Sequence, residues 1–181
     1  MTDDARLPTL VISGGQAGAD QAGLVVAARH GIPTGGWMPR GFLVRDGRID
    51  VSRPDLAASF GLREHPSAAY ADRTARNVQD SDGTVRFASN WNSMGELCTL
   101  KHLRRLGRPY IDVDIRDPIA PERVAAWMRA HDVRTLNVAG NVEPKTPTAR
   151  AAGITAFAEA YLGRVFEALG HGPIDPGGGD T

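Results

Sequence analysis

Short apolar runs alternate along the chain with stretches whose apolar residues recur every three or four positions. The runs at residues 9–13, 84–88, 110–113 and 135–139 predict buried strands. Between them the helical period takes over. Ala19, Ala22, Val26 and His30 share one helical face, and their small members would let that helix lie close on a sheet. Leu97, Cys98 and Leu100 line a second helix between Ser93 and Leu106. Pro121 suits the first turn of a third, followed by Val124, Trp127, Met128 and His131, and Ile154, Phe157, Tyr161, Val165 and Leu169 mark a long final helix. Strand and helix in alternation predict an α/β fold, a mainly parallel sheet with helices on both faces, whose ligands bind at the carboxyl ends of the strands.

Residues 35–67 break the rhythm: rich in Gly, Pro and Arg, they predict at most short strands or turns, the kind of segment that serves as a binding loop or simply covers a core. A single domain over residues 9–170 is expected, with a disordered N-terminus at 1–8 and a disordered Gly/Pro-rich tail at 171–181. Hydrophobic content of 41%, charged content of 23% and zero formal net charge indicate no nucleic-acid or membrane partner. Residues 1–8 are acidic and polar, unlike a secretory signal, so a cytoplasmic protein is expected. The single Cys98 excludes an internal disulfide and reads as a half-buried core thiol, and the five histidines are too dispersed for a transition-metal site.

Candidate chemistry gathers where the predicted strands end. After the first strand, Gly14, Gly15, Gln16 and Gly18 lead into a helix, an arrangement in which glycines admit a ligand and the first helical amides lack internal partners. The spacing is neither the dinucleotide fingerprint nor the Walker loop, whose Lys is missing, and the same turn could exist without a ligand. The segment from Ser89 to Gly95 and the pair Gly140 and Asn141 follow the second and last strands, so three strand ends converge on one rim. Gly36, Trp37 and Arg40 would add an aromatic wall and a cation, or else a core plug and a solvated charge.

Arg73 and Asn77 share a helical face; Arg73 either clamps an anion or pairs with Asp80 or Asp82 to fix the turn. Ser93 and Glu96 read first as a capping box, in which Glu96 reaches back to the Ser93 amide and the cap contributes about 1 kcal/mol. The other reading makes Glu96 a carboxylate at the rim, available for acid/base work.

Taken in order, Gly14 to Asp20, Gly35 to Gly41, Arg73-Thr74 with Asn77-Val78, Ser81 to Thr84 and Leu136 to Gly140 resemble the circularly permuted YpsA-type SLOG proteins, over roughly residues 9–162. That family includes proposed molybdenum cofactor carriers. The resemblance implies a Rossmann-like fold, homo-oligomers (dimer or tetramer), and a phosphorylated pterin or nucleotide as the small-molecule partner, with the molybdenum cofactor (molybdopterin) as carried ligand. Gly14, Gly15, Gln16, Asp20, Arg73, Gly95, Thr99, Asn137 and Gly140 match its pattern.

The chain departs at Ala17 and Glu96, where Thr is usual, at Met94, where a second Gly is usual, and at Val142 and Pro144, where a basic residue and a Ser are usual. Glu96 places a negative charge near the presumed phosphate, and two unit charges about 4 Å apart at an effective dielectric of about 20 repel by about 4 kcal/mol. Three functions are thereby open. The first is a carrier that binds without transforming. The second is a nucleotide N-glycosidic hydrolase of the kind found among related SLOG proteins, with Glu96 or Asp20 as its acidic residue. The third is a nucleotide sensor or scaffold whose anion site has degenerated.

Overall fold

In the computed structural model, which describes residues 6–146, 149 and 151–174, the chain runs β1 (Leu10–Ser13), α1 (Ala19–Arg29), β2 (Thr34–Gly35), β3 (Trp37–Met38), β4 (Leu43–Asp46), β5 (Ile49–Ser52), α2 (Pro54–Phe60), β6 (Arg63–Glu64), α3 (Tyr70–Asp80), β7 (Gly83–Ala88), α4 (Met94–Leu106), β8 (Tyr110–Asp114), α5 (Pro121–Ala130), β9 (Thr135–Gly140) and α6 (Ile154–Ala168). The expectations for residues 1–5 and 175–181 lie outside the described residues. Next to them, His171 Nε2 lies 3.0 Å from the Leu7 carbonyl oxygen, and the Ile174 amide donates to the Arg29 carbonyl.

The four predicted strands form, and β2 joins them in a sheet of order β2-β1-β9-β7-β8 whose pairings are all parallel. Alternation along each strand sorts its side chains onto two faces. Val11, Val85, Phe87, Val113, Leu136 and Val138 point to one face, where α1, α5 and α6 bury Ala19, Ala22, Val26, Val124, Met128, Ile154, Leu162 and Phe166 against them. This is the apolar core. The opposite face carries Thr84, Arg86 and Asn137, all buried, beneath α3 and α4.

Helices therefore cover both faces, as expected, but one layer is apolar and the other polar at its centre. Buried polar groups require partners, and these find them: Asn137 Nδ2 donates to Thr84 Oγ1 (3.2 Å), and Arg86 forks onto Asp112.

Residues 35–67 hold more order than their composition predicts. Besides β3, β6 and the β4–β5 hairpin they form α2, started by Pro54 at its first turn and ended by Gly61 in the left-handed region (φ 64°). Met38, Val44, Leu56, Ala57 and Leu62 make a second, smaller core with Leu24 of α1. The segment covers a core and also roofs the strand ends. On α4 the buried stripe is Glu96, Thr99 and Leu103, not the line through Leu97, which stands 51% exposed; Cys98 is half-buried as expected.

Candidate functional site

Three adjacent strands, β1, β9 and β7, end together, and their ends face the start of α4 across a groove. Three cavities of about 80, 360 and 430 Å³ meet there at Gly95 and Val142. The largest falls within the size range of small-ligand sites.

The smallest is the most polar in its lining and lies deepest, bounded by Gly14, Gln16, Asp20, Arg73, Asn77, Gly95, Glu96, Thr99, Asn137 and Gly140. Ser93 and Asn141 line the second. Twelve sequence-predicted residues thus border one groove. The others stand apart: Gly15 packs under Met38 and Leu62, Gly18 lies against the backbone of Asn141 and Glu143, and Gly36 is pressed onto Ser13. Trp37 borders a separate cavity beside Leu10 and Thr135, where the strands begin, and Arg40 is exposed. Trp37 acts as neither rim wall nor core plug; its indole donates to Asp80 and lies beneath the Arg63 guanidinium, 4.1 Å away.

The glycine loop is less available to an anion than its sequence implies. Its Gln16 amide donates to Asp20 Oδ2 (3.3 Å), and the first amides of α1 are also engaged: Ala19 with the Asn141 carbonyl, Gln21 with the Gln16 carbonyl, Ala22 with the Gly18 carbonyl. The Gln16 side chain is likewise committed, donating to the Leu43 carbonyl (3.0 Å) and accepting from the Arg45 amide (2.9 Å), which pins β4 over the groove.

What remains free is on the other side. Arg73, with a side chain 13% exposed, pairs with Asp20 at 3.5 Å rather than with Asp80 or Asp82, and its Nε has no hydrogen-bond partner. Gly14 makes room for that guanidinium: a Cβ at Gly14 would collide with it. Asp80 and Asp82 are used elsewhere, the first holding Arg76 and Trp37 and the second accepting from the Arg134 and Thr135 amides.

At the start of α4 the capping box forms by half. Ser93 Oγ accepts from the Glu96 amide (3.3 Å), but Glu96 does not reach back; the Ser93 amide donates instead to the Asn90 carbonyl. The Glu96 side chain turns inward, where its Oε1 accepts from Asn141 Nδ2 (3.3 Å) and its Oε2 lies 3.6 Å from Arg86 Nη1 without a hydrogen bond.

Burial, opposed by Arg86 and reinforced by Asp20 and Asp112, lifts the Glu96 carboxyl to about 7. Burial likewise raises Asp20, against the pull of Arg73 and of the Gln16 amide. Ahead of Glu96, the Met94 and Gly95 amides have no intrahelical acceptor, and nothing stands within 4 Å of where a Gly95 Cβ would be.

Asn141 and Asn77 are joints rather than open donors. Asn141 accepts from the Ser89 and Asn90 amides, tying the end of β9 to the loop after β7, and Asn77 pairs with both main-chain groups of Trp37. Thr99 donates to the Gly95 carbonyl.

Arg45, Tyr70 and Arg86 shape the site without having been anticipated, and Thr74 and Val142, noted from the sequence only as part of the family pattern and as a departure from it, line the groove as well. Tyr70 and Thr74 were within reach, since positions 70, 73, 74 and 77 form one helical stripe. Arg86 had its own signal, a lone charge inside an apolar strand run. Among the described residues no group of three or more His, Cys, Asp or Glu is placed to hold a metal ion, and no helix is long and apolar enough to cross a membrane.

The family model of the circularly permutated YpsA SLOG family matches residues 11–165, a span that contains every residue bordering the groove. A crystal structure of a protein from Syntrophus aciditrophicus SB, provisionally named a molybdenum carrier protein, superposes with a TM-score of 0.72 at 34% sequence identity, over 88% of this chain and 94% of that one. No curated protein matches. With the model spanning most of its length and the strand-end groove in place, the chain belongs to the circularly permutated YpsA SLOG family.

Proposed function

We propose that the groove at the carboxyl ends of β1, β9 and β7 binds a phosphorylated pterin-like or nucleotide-like small molecule and carries it without transforming it. One observation supports this most directly: Arg73 is largely but not fully buried, its Nε is buried without a hydrogen-bond partner, and it borders the cavity beside the open start of α4. A guanidinium with a buried, unused donor is matched by an oxyanion, and phosphate offers several acceptors to it. The likeness to a protein named as a molybdenum carrier favours a molybdopterin-type cargo within that class. The adjoining cavity of about 430 Å³, with Tyr70, Cys98 and Val142 in its wall, would hold the ring system.

Calorimetric titration of the full chain with nucleoside monophosphates and a phosphorylated pterin tests the reading. Binding by at least one of them is expected, weakened at least tenfold by Arg73→Ala. No heat and no thermal stabilisation across the panel would refute it.

A second reading rests on the two buried carboxyls, Asp20 and Glu96, that border the same cavity with their protons held above the usual range. Such a pair suits hydrolysis of a bond between base and ribose phosphate. Release of free base from a nucleoside monophosphate, abolished by Glu96→Gln, would favour this reading over carriage; intact nucleotide after prolonged incubation would exclude it.

A further inference from the structure

A negative side chain beside an anion site is a contradiction unless its charge can be removed. Glu96 is buried, its side chain only 3% exposed, and it borders the cavity that Gly14 and Arg73 also border. Its Oε2 has no hydrogen-bond partner. The nearest cation does not fill that vacancy in donors: Arg86 gives Nε and Nη2 to Asp112 and directs Nη1 to the Glu96 carbonyl (3.3 Å).

The charged groups facing Glu96 from the packed elements are Arg86 on β7, Asp112 on β8, Asp20 on α1 and Arg73 on α3. On and just after β9 the facing residues, Asn137 and Asn141, are uncharged. Among these described residues two guanidinium charges meet three carboxylates, so Glu96 is the carboxylate left over. An anion arriving at Arg73 would add to the excess.

We propose that Glu96 receives the ligand as a carboxylic acid, its Oε2 taking a proton from solvent and donating that O–H to an oxyanion, so that anion binding in this groove is coupled to proton uptake. The proposal rests on the anion-groove reading above. No bond of the ligand is made or broken; the proton moves from water to Oε2, and the ligand oxygen gains a donor in place of a repelling charge. The raised carboxyl, at about 7, makes the proton inexpensive to acquire near neutrality. Glu96 thereby becomes a specificity determinant, favouring ligands that present an acceptor to it.

Inorganic sulfate is a suitable probe because it keeps the same charge between pH 6 and pH 8. In calorimetric titrations the unmodified protein is expected to bind sulfate about tenfold more weakly at pH 8 than at pH 6. At pH 7, heats in two buffers of different ionisation enthalpy should reveal uptake of about half a proton per sulfate. Glu96→Gln should bind at both pH values with less than a twofold difference and take up no proton.

Equal pH dependence in the two proteins, or zero uptake by the unmodified one, overturns the proposal and leaves the anion groove standing. If Glu96→Gln fails to fold, as judged by circular dichroism, the uptake measurement on the unmodified protein decides alone. Absence of sulfate binding to the unmodified protein at pH 6 also overturns it, while the nucleotide and pterin titrations decide the groove reading independently.

Discussion

Arg86 occupies a position where hydrophobic residues are the rule, the interior of a strand buried on both faces, with its side chain 3% exposed. Its guanidinium justifies the placement: two N–H groups fork onto Asp112, a third donates to the Glu96 carbonyl, the charge lies 3.6 Å from Glu96 Oε2, and the plane sits over the rings of Trp91 and Tyr110 at 5.1 and 5.2 Å. Removing one partner of a buried pair strands the other. Asp112, 40% exposed, can turn to water, but Glu96 cannot. Arg86→Met is therefore expected to destabilise the protein by about 3 kcal/mol in urea denaturation at pH 7, with Arg86→Lys intermediate because it keeps the charge and loses the fork. A loss under about 1 kcal/mol for Arg86→Met would mean that the polar layer is held by something else.

At the scale of elements, the hairpin β4–β5 shows why part of the fold could be read from sequence and part could not. Four of the five sheet strands were legible because each holds a short, mostly apolar run, whereas the two-residue β2 was not, and α1, α5 and α6 were legible because their small or apolar residues repeat at helical spacing over two turns or more. Residues 35–67 obey contacts that no local pattern records: β3 and β6 have two residues each, Asn77 of α3 secures the Trp37 main chain, and the Gln16 side chain bridges the hairpin strand β4. Helix α2 did have local punctuation, Pro54 at its start and Gly61 at its end, but its seven residues offer less than two turns of period.

The same division runs through the site. Strand-end convergence located Gly14, Gly95 and Gly140, whereas the inward turn of Glu96 depended on Arg86 and Asn141, distant in sequence. Gln16 then carries an element-scale prediction. With two hydrogen bonds to β4 removed, Gln16→Ala should loosen the hairpin while leaving the sheet intact. Amide hydrogen exchange at Arg45 is expected to accelerate about tenfold or more, with strands β7 and β9 unchanged. Uniform acceleration across the sheet would show that the hairpin and the core open as one unit.

For the whole molecule, the polar layer makes stability a function of pH. An unfolded chain releases the Glu96 proton near its ordinary value of 4.5, and the folded protein near 7. Between those values the folded state holds the extra proton, so this group's contribution is fully present below 4.5, declines as pH rises through 7, and is gone above. The full difference corresponds to about 3 kcal/mol, of which about 1.4 kcal/mol falls between pH 6 and pH 8. Asp20, also raised by burial, works in the same direction. His102 and His171, lowered by burial, work in the opposite one, because the folded state gives up their protons first.

The two histidine contributions owe nothing to Glu96, so they are shared by Glu96→Gln and cancel in its comparison with the unmodified chain. Relative to that variant, the unmodified protein should lose about 1.4 kcal/mol of stability from pH 6 to pH 8 in denaturant titrations, and a saturating anion should steepen the slope, because it keeps Glu96 protonated in the folded state alone. Parallel stability curves for the two proteins would mean that Glu96 is ionised in the folded state throughout, with Arg86 alone balancing it.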